Sequence, residues 1–129
     1  MVRKKLKKEI ILNNKIEWKT SNNLVEYNFA VSEMKKRVLE IKKNFACEMI
    51  WLLEHNSIIT GGTSAKIEDL KNTKVDFQYT GRGGQWTWHG PGQRVVYLML
   101  NLNIKKNKKQ LILKKLNFKD ALKKSFYKN

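Results

Sequence analysis

Residues 82–93 read Arg-Gly-Gly-Gln-Trp-Thr-Trp-His-Gly-Pro-Gly-Gln and hold four of the chain's seven glycines, its only proline and one of its two histidines. Glycine lets a backbone approach its neighbours closely and adopt conformations closed to other residues. Proline fixes φ and removes a donor. Arg82 and His89 bring charge and proton-transfer capacity to that backbone, so the segment is expected to shape a site rather than fill a core.

The elements around it follow from periodicity. Residues 10–18 alternate loosely between apolar and polar side chains and suggest an edge strand. Val25, Phe29, Val31, Met34, Val38 and Ile41 approach helical spacing, which predicts a helix over roughly 25–43 with Glu33, Lys36, Arg37 and Glu40 on its polar side. Met49-Ile-Trp-Leu-Leu53 is a continuous apolar run, and Ile58-Ile-Thr60 continues it beyond Glu54-His55-Asn56; both read as buried strand. Gly61-Gly62 breaks that pattern. Residues 66–74 form a polar connection with room for a short helical turn, Val75–Tyr79 alternates as a strand, and Val95–Leu102 reads as a buried strand. Each glycine cluster thus lies beside a strand end, where α+β folds place functional loops.

A chain of 129 residues with 41% hydrophobic residues fits one domain with a real core. The net charge of +16 favours acidic partners. Its make-up argues for a compositional origin: 23 Lys but four Arg, with 13 Asn and ten Ile against four Ala, is the skew of an A/T-rich coding sequence. A phosphate reader would draw more on Arg, whose planar fork matches phosphate. Cys47 is the only cysteine, which excludes an internal disulfide and a cysteine-cluster zinc site and suits a reducing compartment. No apolar run reaches the length of a membrane span, and the basic N-terminus has too short an apolar stretch for a signal peptide. A cytoplasmic protein is expected. Residues 103–129 differ from the rest, with ten Lys, one Asp and no Gly; Leu111, Lys115, Phe118, Leu122 and Phe126 fall at helical spacing.

The amides around Gly83, Gly84, Gly90 and Gly92 could form a nest for a carbonyl oxygen or a phosphate. His89 could act as acid, base or donor. If the segment is extended, Trp86 and Trp88 share one face and Thr87 and His89 the other. The plainer alternative is a hairpin turn with His89 satisfied in a polar core.

Gly81–Gln93 is very similar to the signature of lipoyl(octanoyl) transferases, the octanoyl-[acyl-carrier-protein]:protein N-octanoyltransferases. Trp51-Leu-Leu-Glu-His55 with Thr60-Gly-Gly-Thr-Ser-Ala65 resembles that family's Glu-His strand and Thr-x-Gly turn. Asp76–Tyr79 resembles its strand into the Arg-Gly-Gly loop, Arg94–Leu102 the strand leaving it, and Tyr27–Met34 its first helix. The resemblance covers about residues 14–102. It implies an α+β fold, a biotin/lipoyl protein ligase-like mixed sheet flanked by helices, of which residues 1–102 would be the N-terminal part and 103–129 a Lys-rich tail unlike the family. It implies that an octanoyl group passes from the thioester of acyl carrier protein to an enzyme cysteine, and then to a lysine on a lipoyl domain of a 2-oxoacid dehydrogenase or of the glycine cleavage protein. Arg82, Gly83, Gly84, Gln85, Trp86, Thr87, Trp88 and His89 would bind the acyl substrate, with His55, Gly90 and Gly92 in support. No metal or other cofactor is implied, because a thioester is already activated, and neither nucleic acid nor membrane is an expected partner.

The family's nucleophilic cysteine and the lysine that activates it lie in its C-terminal half, and no residue of this sequence matches them. A frameshift or premature stop near residues 102–110 would explain the change. Cys47 lies between helix and strand, where the family places no nucleophile, and nothing in the spacing of Lys66 makes it the activating lysine. Two other readings stand beside this one: an ATP-dependent lipoate or biotin ligase-like protein, and a non-catalytic basic binding module resting on charge alone.

Overall fold

A computed structural model describes residues 3–4, 15–71 and 73–101. The expectations for residues 10–14 and for the tail from 103 onward lie outside the described residues. The order is β1 (Ile16–Thr20), α1 (Tyr27–Lys42), β2 (Glu48–Leu53), β3 (Ile58–Gly61), a 3-10 turn (Ile67–Asp69), β4 (Phe77–Tyr79), β5 (Trp86–His89) and β6 (Val95–Met99). The strands form two three-stranded sheets, β1-β2-β6 and β4-β3-β5. The architecture is α+β, as the sequence implied. The chain divides into two compact units, one built from β1, Ser32–Leu52 and β6 from Val96 onward, the other from Ser21–Val31 and Leu53–Val95.

In the first unit β2 is the central strand, parallel to β1 from Ile16 opposite Glu48 to Thr20 opposite Leu52. All six residues of β2 are buried, as a strand covered on both faces requires. Ile41, Cys47, Met49, Ile50, Trp51, Leu52 and Met99 form this core. Arg37 spans it: Nε and Nη2 donate to the Cys47 carbonyl at 3.0 and 2.9 Å, and Nη2 pairs with Glu17 at 2.7 Å. The Lys19 ammonium lies 4.4 Å from the Trp51 ring centroid. A concavity of about 420 Å³ is floored by Met49, Trp51 and Met99 and rimmed by both signs of charge, Glu17, Glu33, Lys19 and Lys36.

Both ends of α1 have a chemical cause. The Glu26 carboxylate accepts from the amides of Asn28 at 2.9 Å and Phe29 at 2.7 Å, two donors the first turn leaves without a helical partner. Those bonds hold the Glu26 carboxyl below its ordinary pKa. At the other end Asn44 takes a φ of 60°, with Asn44 N bonded to Ile41 O at 3.1 Å and Phe45 N to Glu40 O at 2.8 Å. That is the Schellman stop, with asparagine in the left-handed position glycine usually takes. The helix span agrees with the sequence; the face does not. Ala30 and Ile41 are buried and Met34 and Arg37 half-buried, whereas Phe29 and Val38 are exposed. At about 100° per residue, Phe29 points roughly 140° away from Met34, so the two could not share a stripe.

The second unit's sheet is mixed. β3 runs parallel to β4, with Ile59 opposite Phe77 and Gly61 opposite Tyr79, and antiparallel to β5, with Ile58 opposite His89 and Gly61 opposite Trp86. Ala30, Leu53, His55, Ile58 and Thr60 are buried here. The side-chain amides of Asn28 and Gln78 exchange hydrogen bonds at 3.1 and 2.9 Å, tying the start of α1 to β4.

Candidate functional site

The parity of β5 sorts the glycine-rich segment into two chemistries. Trp86 and Trp88 face one side with Ile59 and Gly61; Thr87 and His89 face the other with Ile58 and Thr60. On the first side Trp86 lies over Gly61, where any Cβ would overlap its ring, and meets Tyr79 at 4.9 Å and Phe77 at 5.9 Å between centroids. Its indole N–H donates to the Lys66 carbonyl at 2.7 Å, so Lys66 serves this loop through its backbone. Trp88 covers Gly90 in the same way.

The second side carries the polar groups. Arg82 Nη2 donates to the Thr60 carbonyl at 2.6 Å, to Thr60 Oγ1 at 2.9 Å and to the Gln85 carbonyl at 3.1 Å, while Nη1 donates to the Gly83 carbonyl at 2.9 Å. Thr60 Oγ1 is 3.2 Å from His89 Nε2, and His89 Nδ1 is 2.9 Å from Gln93 Oε1. The Gln93 amide nitrogen donates to the Trp88 carbonyl at 3.0 Å. His55 sits beside this chain, fully buried, and its Nδ1–H donates to the Val25 carbonyl at 2.7 Å. The His55 and His89 rings lie 6.1 Å apart, and Tyr27 contacts both, edge-on to His55 at 5.3 Å and nearly parallel to His89 at 6.2 Å. Burial pushes the His55 pKa down, and the nearby His89 adds to that; the bond to Val25 and the charge of Glu26 act the other way. Burial thereby disfavours the charged form of His55.

The glycines act in two separate places. Gly62 packs on the backbone of Gly83 and Gly84, closely enough that a Cβ would collide with both carbonyls. Across that contact Gly62 N, Thr63 N and Ser64 N donate to the carbonyls of Gln85, Arg82 and Gly84 at 3.2, 2.9 and 3.1 Å. Gly84 takes a φ of 94° to make the turn. Past β5, Gly90-Pro91-Gly92-Gln93 forms a turn closed by Gln93 N to Gly90 O at 3.0 Å, with Gly92 at a φ of 88°. Proline second and glycine third is the type II pattern. Gly83–Gly84 and Gly90–Gly92 therefore lie beyond opposite ends of β5, at least about 10 Å apart at 3.3 Å per residue. A single nest drawing on all four amides, as the sequence allowed, is not what forms.

Sequence reasoning named Arg82, His89 and His55 but gave no site role to Tyr27, Thr60 or Gln93, which hold the histidines in place. The available signals were Thr60 at the strand end before Gly61-Gly62 and Gln93 closing the glycine run. Cys47 is buried in the first unit beneath Arg37, whose Nη2 is 3.4 Å from Sγ, so it is not presented as a nucleophile. Among the described residues no group of three or more His, Cys, Asp or Glu could hold a metal ion, and no helix is long and apolar enough to cross a membrane.

Residues 25–117 match the lipoyl protein ligase A/B catalytic domain family, a span containing every residue of this constellation. The chain belongs to that family. Within it, the chain is 46% identical over 93 residues to an octanoyltransferase of Wolbachia sp. subsp. Brugia malayi (strain TRS), covering 72% of this chain and 45% of the relative. It is 48% identical over 92 residues to the octanoyltransferase of Wolbachia pipientis wMel, covering 71% and 44%. It is 51% identical over 96 residues to that of Bartonella henselae, covering 74% and 39%. The chain thus spans less than half the length of these relatives.

Proposed function

We propose that this chain is the acyl-binding portion of an octanoyltransferase that acts in protein lipoylation in the cytoplasm. The observation that carries the proposal is the chain of hydrogen bonds from Arg82 through Thr60 and His89 to Gln93, built on the segment where the chain resembles octanoyltransferases. Arg82–His89 would line the octanoyl thioester delivered by acyl carrier protein, with His55, Gly90 and Gly92 supporting them. An anionic tetrahedral oxygen needs preorganised donors, and the backbone amides of the exposed loop at Gly83 and Gly84 could supply them.

In the reaction, a cysteine thiolate of the full-length enzyme attacks the thioester carbonyl. A new C–S bond forms, the old one breaks, and the carrier's sulfur leaves as a thiolate that takes up the proton the cysteine thiol gave up. The amine of a lipoyl-domain lysine then attacks the enzyme thioester, forms the amide, gives up a proton and releases the cysteine. The donor carbonyl is already activated, so neither step calls for a nucleotide or a metal. The nucleophile and its activating lysine would come from outside the matched residues, since Cys47 is buried in the first unit.

Binding of octanoyl-acyl carrier protein, read from the fluorescence of Trp86 and Trp88, tests the reading. The chain should bind the octanoyl carrier more tightly than the unacylated carrier, and Arg82→Ala and His89→Ala should weaken that preference at least tenfold. Equal affinity for both carriers, or variants that bind as the parent does, would refute it. The family description also covers ligases, which gives a second reading, ATP-dependent acyl activation. Pyrophosphate release from ATP and octanoate would favour it over transfer.

A further inference from the structure

Gln93 makes two bonds whose directions leave no freedom. Its amide nitrogen donates to the Trp88 carbonyl at 3.0 Å, and a carbonyl can only accept. The amide plane is thereby set, and Oε1 is the atom presented to His89 Nδ1 at 2.9 Å. An amide oxygen can only accept, so Nδ1 must carry the proton. In the neutral ring Nε2 then carries the lone pair. Arg82 Nη2 donates into Thr60 Oγ1 at 2.9 Å, which leaves the Thr60 hydroxyl hydrogen free to point along the 3.2 Å contact to His89 Nε2. The acceptor-only Trp88 carbonyl thus sets the sense of the Gln93–His89 bond, and the Thr60 hydroxyl, which can both accept from Arg82 and donate, completes the run to Nε2.

We infer that Gln93 is a positioning residue that holds neutral His89 in its Nδ1–H tautomer, so that the Nε2 lone pair faces Thr60. Gln93 can do so because the type II turn at Gly90–Gln93 folds it back onto the strand it has just left. The ring is held on its flanks as well, by Tyr27 at 6.2 Å and His55 at 6.1 Å, so rotation about the ring axis is no easy alternative to a change of tautomer. The consequence for transfer rests on the function proposed above. With Nε2 as the unprotonated nitrogen, His89 accepts a proton or a hydrogen bond on the Thr60 side of the ring and donates none there. The tautomer itself does not depend on that reading.

Long-range nitrogen–proton correlation spectra of the His89 ring in the full chain, at a pH where the ring is neutral, decide the matter. The parent should show a protonated Nδ1 and an unprotonated Nε2. Gln93→Leu removes the acceptor and should shift the ring to Nε2–H or to a mixture; Gln93→Glu keeps an acceptor and should restore Nδ1–H. Thr60→Val removes the other partner and should leave Nδ1–H in place. Nε2–H in the parent, an unchanged tautomer in Gln93→Leu, or a switch in Thr60→Val with Gln93 intact would each overturn the assignment. If Gln93→Leu does not fold, the parent and Thr60→Val spectra still decide. Octanoyl-carrier binding measured on the same samples reports separately on the functional reading, so either can fail without the other.

Discussion

Replacing Gly62 by alanine tests whether the Arg82 loop is held by close backbone approach or merely by glycine's flexibility. No left-handed φ is required at Gly62, so the only objection to a methyl group is space. A Cβ there would meet the carbonyls of Gly83 and Gly84, which are backbone and cannot rotate away. The loop must move, and with it the bonds from Gly62, Thr63 and Ser64 to Gln85, Arg82 and Gly84. Each such bond contributes a net ~1 kcal/mol, and a methyl group forced into a packed site costs about 1–3 kcal/mol. A loss of about 3 kcal/mol is expected, which at a urea slope of about 2 kcal/mol/M lowers the midpoint by roughly 1.5 M. Gly83→Ala is the control: its Cβ meets nothing within 4 Å and its φ is not left-handed. It should stay within about 0.5 kcal/mol of the parent. Urea unfolding followed by tryptophan fluorescence reads both. Equal midpoints for Gly62→Ala and the parent, or an equal loss in Gly83→Ala, would refute the close-approach argument.

Arg82→Lys should lower stability by about 1.5–3 kcal/mol in the same assay, because a single ammonium nitrogen cannot reach both the Thr60 acceptors served by Nη2 and the Gly83 carbonyl served by Nη1. In the first unit Arg37→Met should cost about 1.5–3 kcal/mol through the buried Cys47 carbonyl, while Glu17→Gln costs less than about 1 kcal/mol because that carboxylate is 45% exposed; a reversed order would refute the assignment. His55 has a pKa lowered by burial, so the unfolded chain binds its proton more readily and stability rises with pH across that range. The contribution is complete above the ordinary histidine pKa of about 6.5 and is lost as pH falls through the folded value. Urea midpoints between pH 5 and 8 should show this slope in the parent and a flatter one in His55→Asn.

Much of the fold was legible because its signals are local. Met49–Leu53 had to be buried on both faces, since five apolar residues in a row leave a strand no polar side. The stop at Asn44 and the turn at Pro91-Gly92 are likewise written in single residues. The helix face was not legible: Phe29 and Val38 are apolar but exposed, and only the packing of Ala30, Met34 and Ile41 reveals which side turns inward. The site divided along the same line. The glycine run announced Arg82 and His89, and the chain's parity placed the two tryptophans opposite His89. Thr60 and Tyr27 are distant in sequence, and nothing local says that they meet the His89 ring.

The two-sided character of β5 constrains how this segment can change length. Adding or removing one residue between Gly84 and His89 would exchange the faces, sending an indole into the place of the imidazole and the imidazole among the aromatic rings. Two residues would restore the parity but carry His89 one full repeat, about 6.6 Å, past Thr60. Substitution can tune this strand; insertion and deletion cannot, so its length is as much a part of the site as its side chains.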